Sequence, residues 1–423
     1  MTDAGLQELA HLKGLQNLDL DDTRISDVGL NALAGLQELQ TLRLSNTKVK
    51  DLTGVAALNR LQTLTLQRTP VTDAALKQLA DLKELQTLEL TSCRQVTDAG
   101  LKELAALQGL RTLHLPFTKV TDAGLKEMAA LHGLQSLFLD GTQLTDAALR
   151  TFRELGLLHV LAQARAADGR RPTNASEILV LNLSSTRVTD ASLRELTALQ
   201  GLRVLNLHGT PVTDAGLKEL AALPQLKWLS LSDTAVTDAG LHVLADLKEL
   251  STLELAGTRV TDAGLKHVAA LKNLKELGLI HTKVTGAGLK ELATLKNLRD
   301  LHLDRSEVTD AVLRSLREIG LLHVLELAQA ADGNRPASVS AIERLDLDST
   351  RVTDAGLKEL AALKGLHRLS LYGCWKVTDA GLIELAALKE LKEVGLTYCK
   401  VTPAGVDALQ KALPECNIVR FRP

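Results

Sequence analysis

The side chains able to do chemistry in this 423-residue chain are few: four cysteines, eleven histidines and scattered carboxylates. Cys93, Cys374, Cys399 and Cys416 are too few and too uneven for a disulfide framework, which predicts reduced thiols and a cytoplasmic setting. No zinc spacing, phosphate-cradling glycine loop or nucleophile elbow occurs. His114, His208 and His302 alternate with leucines and are expected to point outward, without the partners that a metal site or an acid–base pair requires. Asp19, Asp21 and Asp22 form a carboxylate cluster of a kind calcium can use, but a solvated, charged end strand is the simpler reading. The expectation is a chain without catalytic residues, metal or cofactor.

Charge and hydropathy narrow the partners. With 49 basic and 51 acidic residues interspersed, the net charge of -2 produces no field for nucleic acid or an anionic membrane. No apolar run approaches the roughly 20 residues that span a bilayer, and residues 1–6 contain no basic segment leading into an apolar one, so no secretion signal is expected.

The elements that must carry these side chains repeat. Segments such as Asn17-Leu18-Asp19-Leu20 and Thr252-Leu253-Glu254-Leu255 recur, and of seventeen intervals between their first leucines twelve are 24 residues. A typical unit alternates with period two at Leu205 and Leu207, then places Leu217, Leu220, Ala221 and Leu223 on one helical face. Thr213 reads as a helix N-cap with Asp214 adding favourable charge in the first turn, and Pro403 at the equivalent N1 position supports that register. Gly109, Gly133, Gly201 and Gly365, or Asn273 and Asn297, are expected to end helices in the left-handed conformation. One unit holds too few apolar side chains to offset the cost of ordering its residues, so units must stack on one another. The prediction is an α/β solenoid of about 18 strands, with a parallel sheet on the concave face and helices on the convex face.

The pattern Leu-x-x-Leu-x-Leu-x-x-Thr-x-Val-Thr-Asp-Ala-Gly-Leu resembles the cysteine-containing leucine-rich repeats of F-box proteins and the related GALA-type bacterial repeats. Cys93 and Cys374 take that class's cysteine position, and elsewhere Thr23, Thr118, Thr210 and Thr350 take it with a hydroxyl able to satisfy turn backbone. Long runs of Val-Thr-Asp-Ala-Gly-Leu, with an Ala-Asp-Gly-x-Arg-Pro interruption, also resemble the large leucine-rich repeat proteins of planctomycete bacteria. Cys374 and Cys399 are read as buried thiols in adjacent ladder positions, and Cys416 as part of a C-terminal cap. Residues 1–423 are expected to form a single solenoid with an internal duplication, because residues 145–190 align with 309–354. Its seams fall near 163–178 and 327–342, where a loop replaces a convex helix.

Aromatic residues number only eight, and six avoid the leucine positions. They suggest two contact patches, His114, Phe117 and Phe138, then Tyr372, Trp375 and Tyr398, with His208 and Trp228 as further outward candidates. The function expected is a non-enzymatic protein- or peptide-binding scaffold using strand-end loops and varied concave residues such as Arg43, Glu89, Asn206, Glu254 and Asp346. Two alternatives stand beside it. One is a structural protein that self-associates end to end through an N-terminal leucine edge with no obvious cap. The other, implied by the F-box resemblance, is a substrate adaptor of a ubiquitin ligase lacking its F-box in this chain.

Overall fold

Alternating leucines become short strands because one face of each is wholly buried. The computed structural model describes residues 1–141 and 143–420, which fall into two compact units, Met1–Leu202 and Arg203–Pro423. In the first unit, Asn17–Asp19, Thr41–Arg43, Thr63–Thr65, Thr87–Glu89, Thr112–His114 and Ser136–Phe138 pair in parallel and in chain order. Leu18, Leu42, Leu64, Leu88, Leu113 and Leu137 stand opposite one another along that ladder and are buried. The second unit repeats the arrangement from Val204–Asn206 to Asp300–His302, and again from Arg344–Asp346 to Asn417–Val419. Eighteen strands occur among the described residues, as the leucine spacing predicts.

The helices are tied together by their first turns. Asp73 accepts the Thr97 N–H at 2.8 Å on one carboxylate oxygen and the Thr97 hydroxyl at 2.6 Å on the other. The same two bonds join Asp98 to Thr121, Asp238 to Thr261, Asp262 to Thr285, Asp354 to Thr378 and Asp379 to Thr402. Each threonine hydroxyl also caps its own helix, as Thr97 Oγ1 does by accepting from Ala99 N at 3.3 Å. The aspartate at the first helical position, expected to act on the helix dipole, therefore also binds the next repeat.

This clasp explains the glycine two residues further on. A β-carbon on Gly100 would stand 2.4 Å from Asp73 Oδ1, one on Gly264 2.4 Å from Asp238 Oδ1, and one on Gly381 2.5 Å from Asp354 Oδ1. Two repeats test the relation internally. Where Gly286 replaces the aspartate, the facing position of the next repeat holds Val312 instead of glycine. Where Ser192 replaces the glycine, its hydroxyl donates to Asp146.

Three expectations need correction. First, the ladder is not parallel throughout: Ala164–Arg165 runs antiparallel to Val180–Asn182, and Ala328–Gln329 antiparallel to Arg344–Asp346. Leu161 and Leu325 make single parallel bridges to Leu137 and Leu301. The chain then reverses through the Ala166–Arg170 and Ala330–Asn334 turns, where Gly169 and Gly333 adopt φ 79° and 81°. Each return holds only a single 3-10 turn, Ala175–Glu177 or Val339–Ala341, in place of an α-helix, so Thr189 reaches back 43 residues to Asp146, and Thr353 the same distance to Asp310.

Second, Gly109, Gly133, Gly201, Gly365, Asn273 and Asn297 are not left-handed. Helices end early, as Asp214–Leu220 does, so these residues belong to the returning turn and face the preceding repeat. Asn273 and Asn297 donate side-chain N–H groups to Lys248 O and Lys272 O at 2.8 and 2.9 Å, and a β-carbon on Gly109 would meet Lys83 O at 2.4 Å. Third, most left-handed residues lie at the strand exits, at Asp22, Asn46, Ser92, Gly209, Gly257 and their equivalents, and only Gly156 and Gly320, among the described residues, end an α-helix in that conformation.

Thr261→Val keeps the backbone N–H bond to Asp238 but removes the hydroxyl bond to that carboxylate together with a cap, and is expected to cost about 2 kcal/mol in urea unfolding. Thr309→Val, which faces Gly286 and loses only its cap to Val312 N, should cost about 1 kcal/mol or less. Equal losses in the two variants would remove the clasp from the energetics.

Several clasps also set an acid limit. Hydrogen bonds from the Ser26 hydroxyl and N–H hold the Asp3 carboxyl below its ordinary pKa, and those from Thr402 do the same for Asp379. At Asp146 burial pulls upward, but bonds from Ser192 and Thr189 outweigh it and the net shift is downward. A carboxylate with a depressed folded pKa contributes stability above its unfolded value and loses it as pH falls through the folded one. Thermal midpoints are thus expected to be flat above about pH 5 and to drop steadily below about pH 4. A midpoint unchanged down to about pH 2 would contradict this.

Candidate binding surface

The strand-exit residue must turn the chain through positive φ, which suits glycine, asparagine, aspartate and serine and penalises larger side chains. Two aromatic residues nevertheless occupy it: Phe117 at φ 60° and Tyr398 at φ 62°. Both rings are exposed, by 62% and 52%, so neither conformation is compensated by burial. Phe117 lies in an open groove with Arg68, Pro70, Arg94 and Gln95, and its N–H donates to Asp140 at 2.7 Å. Tyr398 meets Tyr372 edge to face at 5.1 Å between centroids. Trp375, 55% exposed, carries the ammonium groups of Lys376 and Lys400 at 4.9 and 5.5 Å from its ring.

Of the second patch, Tyr372 and Tyr398 touch while Trp375 meets no other ring among the described residues, and the first patch divides. His114 and Phe138 are neighbours in register and stack in parallel, 3.9 Å between centroids and 9° between planes. Both are half-buried rather than fully outward, because Arg171 covers Phe138 at 5.2 Å. Phe117 makes no ring contact with either among the described residues. Trp228 is likewise half-covered, and no ring contact joins it to either patch.

Two histidines do have carboxylate neighbours, contrary to expectation. His208 lies 3.5 Å from Asp233 and His302 3.0 Å from Glu326, because stacking brings residues one repeat apart into contact. Asp19 and Asp21 flank the Arg43 guanidinium at 3.4 and 3.0 Å, and Asp22 accepts from Asn46 at 2.6 Å, so their charges are already engaged.

In the second unit the outward strand residues enclose a depression of ≈ 570 Å³. Its floor is low at Ser370 and Gly395, with Arg344, Arg368 and Glu393 on one flank and Asp346, Asp348 and Tyr372 on the other. Asp346 is held by both terminal nitrogens of Arg305 at 2.8 and 2.6 Å, and Glu393 by Arg368 at 2.7 and 2.6 Å. That leaves Arg344 as the guanidinium without a carboxylate among the residues lining it.

A family model described as a leucine-rich repeat region matches residues 1–189 and 180–404, which together cover nearly the whole chain. The chain is a leucine-rich repeat protein. No curated protein matches it. Among solved structures it is similar to an internalin from Listeria monocytogenes, at 22% identity over 76% of this chain and 83% of that one, with a TM-score of 0.49. A leucine-rich repeat protein of Leptospira interrogans aligns at 22% identity over 97% of this chain and 91% of its own, with a TM-score of 0.48. A plant peptide hormone receptor, solved in complex with RGF2, aligns at 14% identity over 98% and 75%, with a TM-score of 0.47. No described helix is long and apolar enough to cross a membrane.

Threonines of the leucine-rich repeat frame satisfy the turn as the pattern predicts. Thr23, Thr118, Thr210 and Thr350 donate their hydroxyls to the leucine carbonyl three residues back, at 2.6 to 2.7 Å. Cys93 and Cys374 reach instead to the preceding repeat, donating to Leu66 O and Leu347 O at 3.0 Å. Cys399 is half-buried and donates to Leu371 O at 3.1 Å. Burial raises the pKa of all four thiols, that of Cys399 to about 12 with help from Cys374.

The residues that sequence reasoning missed are the cations around these rings. Lys376 and Lys400 occupy equivalent places in adjacent repeats and were accessible through the period, whereas Arg171 and Arg305 come from irregular segments that no period marks. Since the thiolate is the reactive form, the folded protein at about pH 8 is expected to take up no more than a trace of iodoacetamide, and four equivalents per chain once unfolded in urea. Stoichiometric labelling of the native protein would contradict the burial of these thiols.

Proposed function

We propose that this leucine-rich repeat protein is a non-enzymatic scaffold that binds protein or peptide segments through its sheet face and strand-exit loops. The observation that carries this reading is the placement of Phe117 and Tyr398. A non-glycine residue in the left-handed region costs about 1 kcal/mol or more, and an exposed aromatic there recovers little by burial within the chain. A partner that buries these rings would supply the compensation. Tyr372 extends the Tyr398 surface, Lys400 from the Tyr398 repeat lies over Trp375, and the adjoining depression offers backbone, hydroxyl and guanidinium groups of the kind that orient a peptide.

The proposal is tested by selecting binders to the intact chain from a displayed library of random peptides. Several enriched families are expected, and the combined Tyr372→Ala, Trp375→Ala and Tyr398→Ala variant should lose about tenfold or more in affinity for at least one of them. Its thermal midpoint should match the wild type within a few degrees, because these rings lie outside the leucine core. A library that yields no enriched peptide, or peptides that bind the variant as well as the parent, would overturn the reading.

A further inference from the structure

The two antiparallel returns are copies of one another, so each serves as a control for the other's charges. In both, the second arginine-bearing turn sends a guanidinium back to the bridging leucine. Arg171 donates to Leu161 O and Arg335 to Leu325 O, each at 3.2 Å. The surroundings of the two guanidiniums differ. Arg335 is ion-paired with Asp300 on the neighbouring strand, whereas the position equivalent to Asp300 beside Arg171 is Ser136. Glu326, which faces His302, is replaced by Ala162, and Gln329 by Arg165. Each of these three exchanges makes the first return one charge more positive than the second.

The result is a pair of guanidiniums held by backbone carbonyls rather than by carboxylates. Arg165 donates to Ala162 O at 2.5 Å and Ala164 O at 2.8 Å, and it stands close enough for its charge to act on Arg171. Burial first, then Arg165, pushes the Arg171 pKa down. The carboxylates of the same loop are occupied elsewhere, Glu177 by Arg170 at 3.0 Å and by Thr173, and Asp168 by Arg170 at 3.1 Å. A desolvated, anchored cation pair next to an aromatic stack is costly to leave unfilled.

We infer that Arg165 and Arg171 form a receptor site for a carboxylate of an acidic peptide segment lying on the sheet face, with the stacked Phe138 and His114 rings beneath it. The class of ligand follows from the second return, where the chain itself places an aspartate against the same guanidinium. The inference rests on the reading of this face as a partner surface and adds the chemistry that the partner must carry. Guanidinium forks match carboxylates in two-point geometry, and the half-buried setting strengthens the pairing relative to open solvent.

Ser136→Asp tests it directly, since it installs in the first return the internal carboxylate of the second. Dye-labelled hexaglutamate and hexaglutamine peptides are titrated into the full chain at low salt, with anisotropy as the readout. The wild type is expected to prefer hexaglutamate by about tenfold or more, and Ser136→Asp to abolish that preference without lowering the thermal midpoint. Ser340→Asp, an equal charge change on an exposed residue of the second return, should bind hexaglutamate as the wild type does. Indifference of the wild type to the two peptides, or an equal loss in Ser136→Asp and Ser340→Asp, overturns the carboxylate site. Library-selected peptides that still bind in that event leave the broader function reading standing.

Discussion

The two-point bond between a helix-start aspartate and the helix-capping threonine of the next repeat is the constraint from which the rest of this structure follows. Leucine burial alone favours stacking but sets no spacing between adjacent helix ends, because apolar contact is non-directional. A carboxylate that accepts both an N–H and an O–H from one residue does set it. The glycine facing that carboxylate is then the simplest fit, since a β-carbon added there would crowd the oxygen unless, as at Ser192, the side chain itself donates to it. Gly286 and Val312 show the same complementarity with the sizes exchanged.

With the helices held this way, the strands inherit a fixed register and their alternate residues form continuous outward columns. Contacts between columns are contacts between repeats, which is why His302 finds Glu326 and His114 lies flat on Phe138. Left-handed strand exits present one residue per repeat at the rim of the sheet face. Most hold small or polar residues, and that background makes Phe117 and Tyr398 stand out as surface investments.

The returns, which lack an α-helix, change this regime locally. At each, the next helix packs on the helix before the interruption, so the Asp–Thr clasp survives across 43 residues. Ion pairs reinforce it: Glu195 meets Arg150 at 3.2 Å and also Arg153, and Glu359 meets Arg314 and Arg317 at 2.9 and 2.7 Å. The extra strand adds its own side chains to the sheet face without adding a helix. Arg171 reaches Phe138 from such a return, which is how an irregular segment comes to cover part of the strand face of its unit.

The repeat period, the leucine faces, the threonine caps and the ladder cysteines were legible in the sequence because each depends on residues within one repeat, and local spacing encodes local geometry. The resemblance carried by the Val-Thr-Asp-Ala-Gly-Leu run likewise identified the family. The meaning of that run was not legible, because aspartate and glycine in it act on each other from different repeats. Left-handed conformation was assigned to Gly109, Gly133, Gly201 and Gly365, when most of it belongs to strand exits, since glycine composition alone cannot distinguish a turn from a close approach. The reversal at Ala164–Arg165, the partners of the histidines and the unpaired guanidiniums of Arg165 and Arg171 were decided only by tertiary structure. Each arises from residues brought together by stacking, and distance through space is fixed by packing rather than by position along the chain.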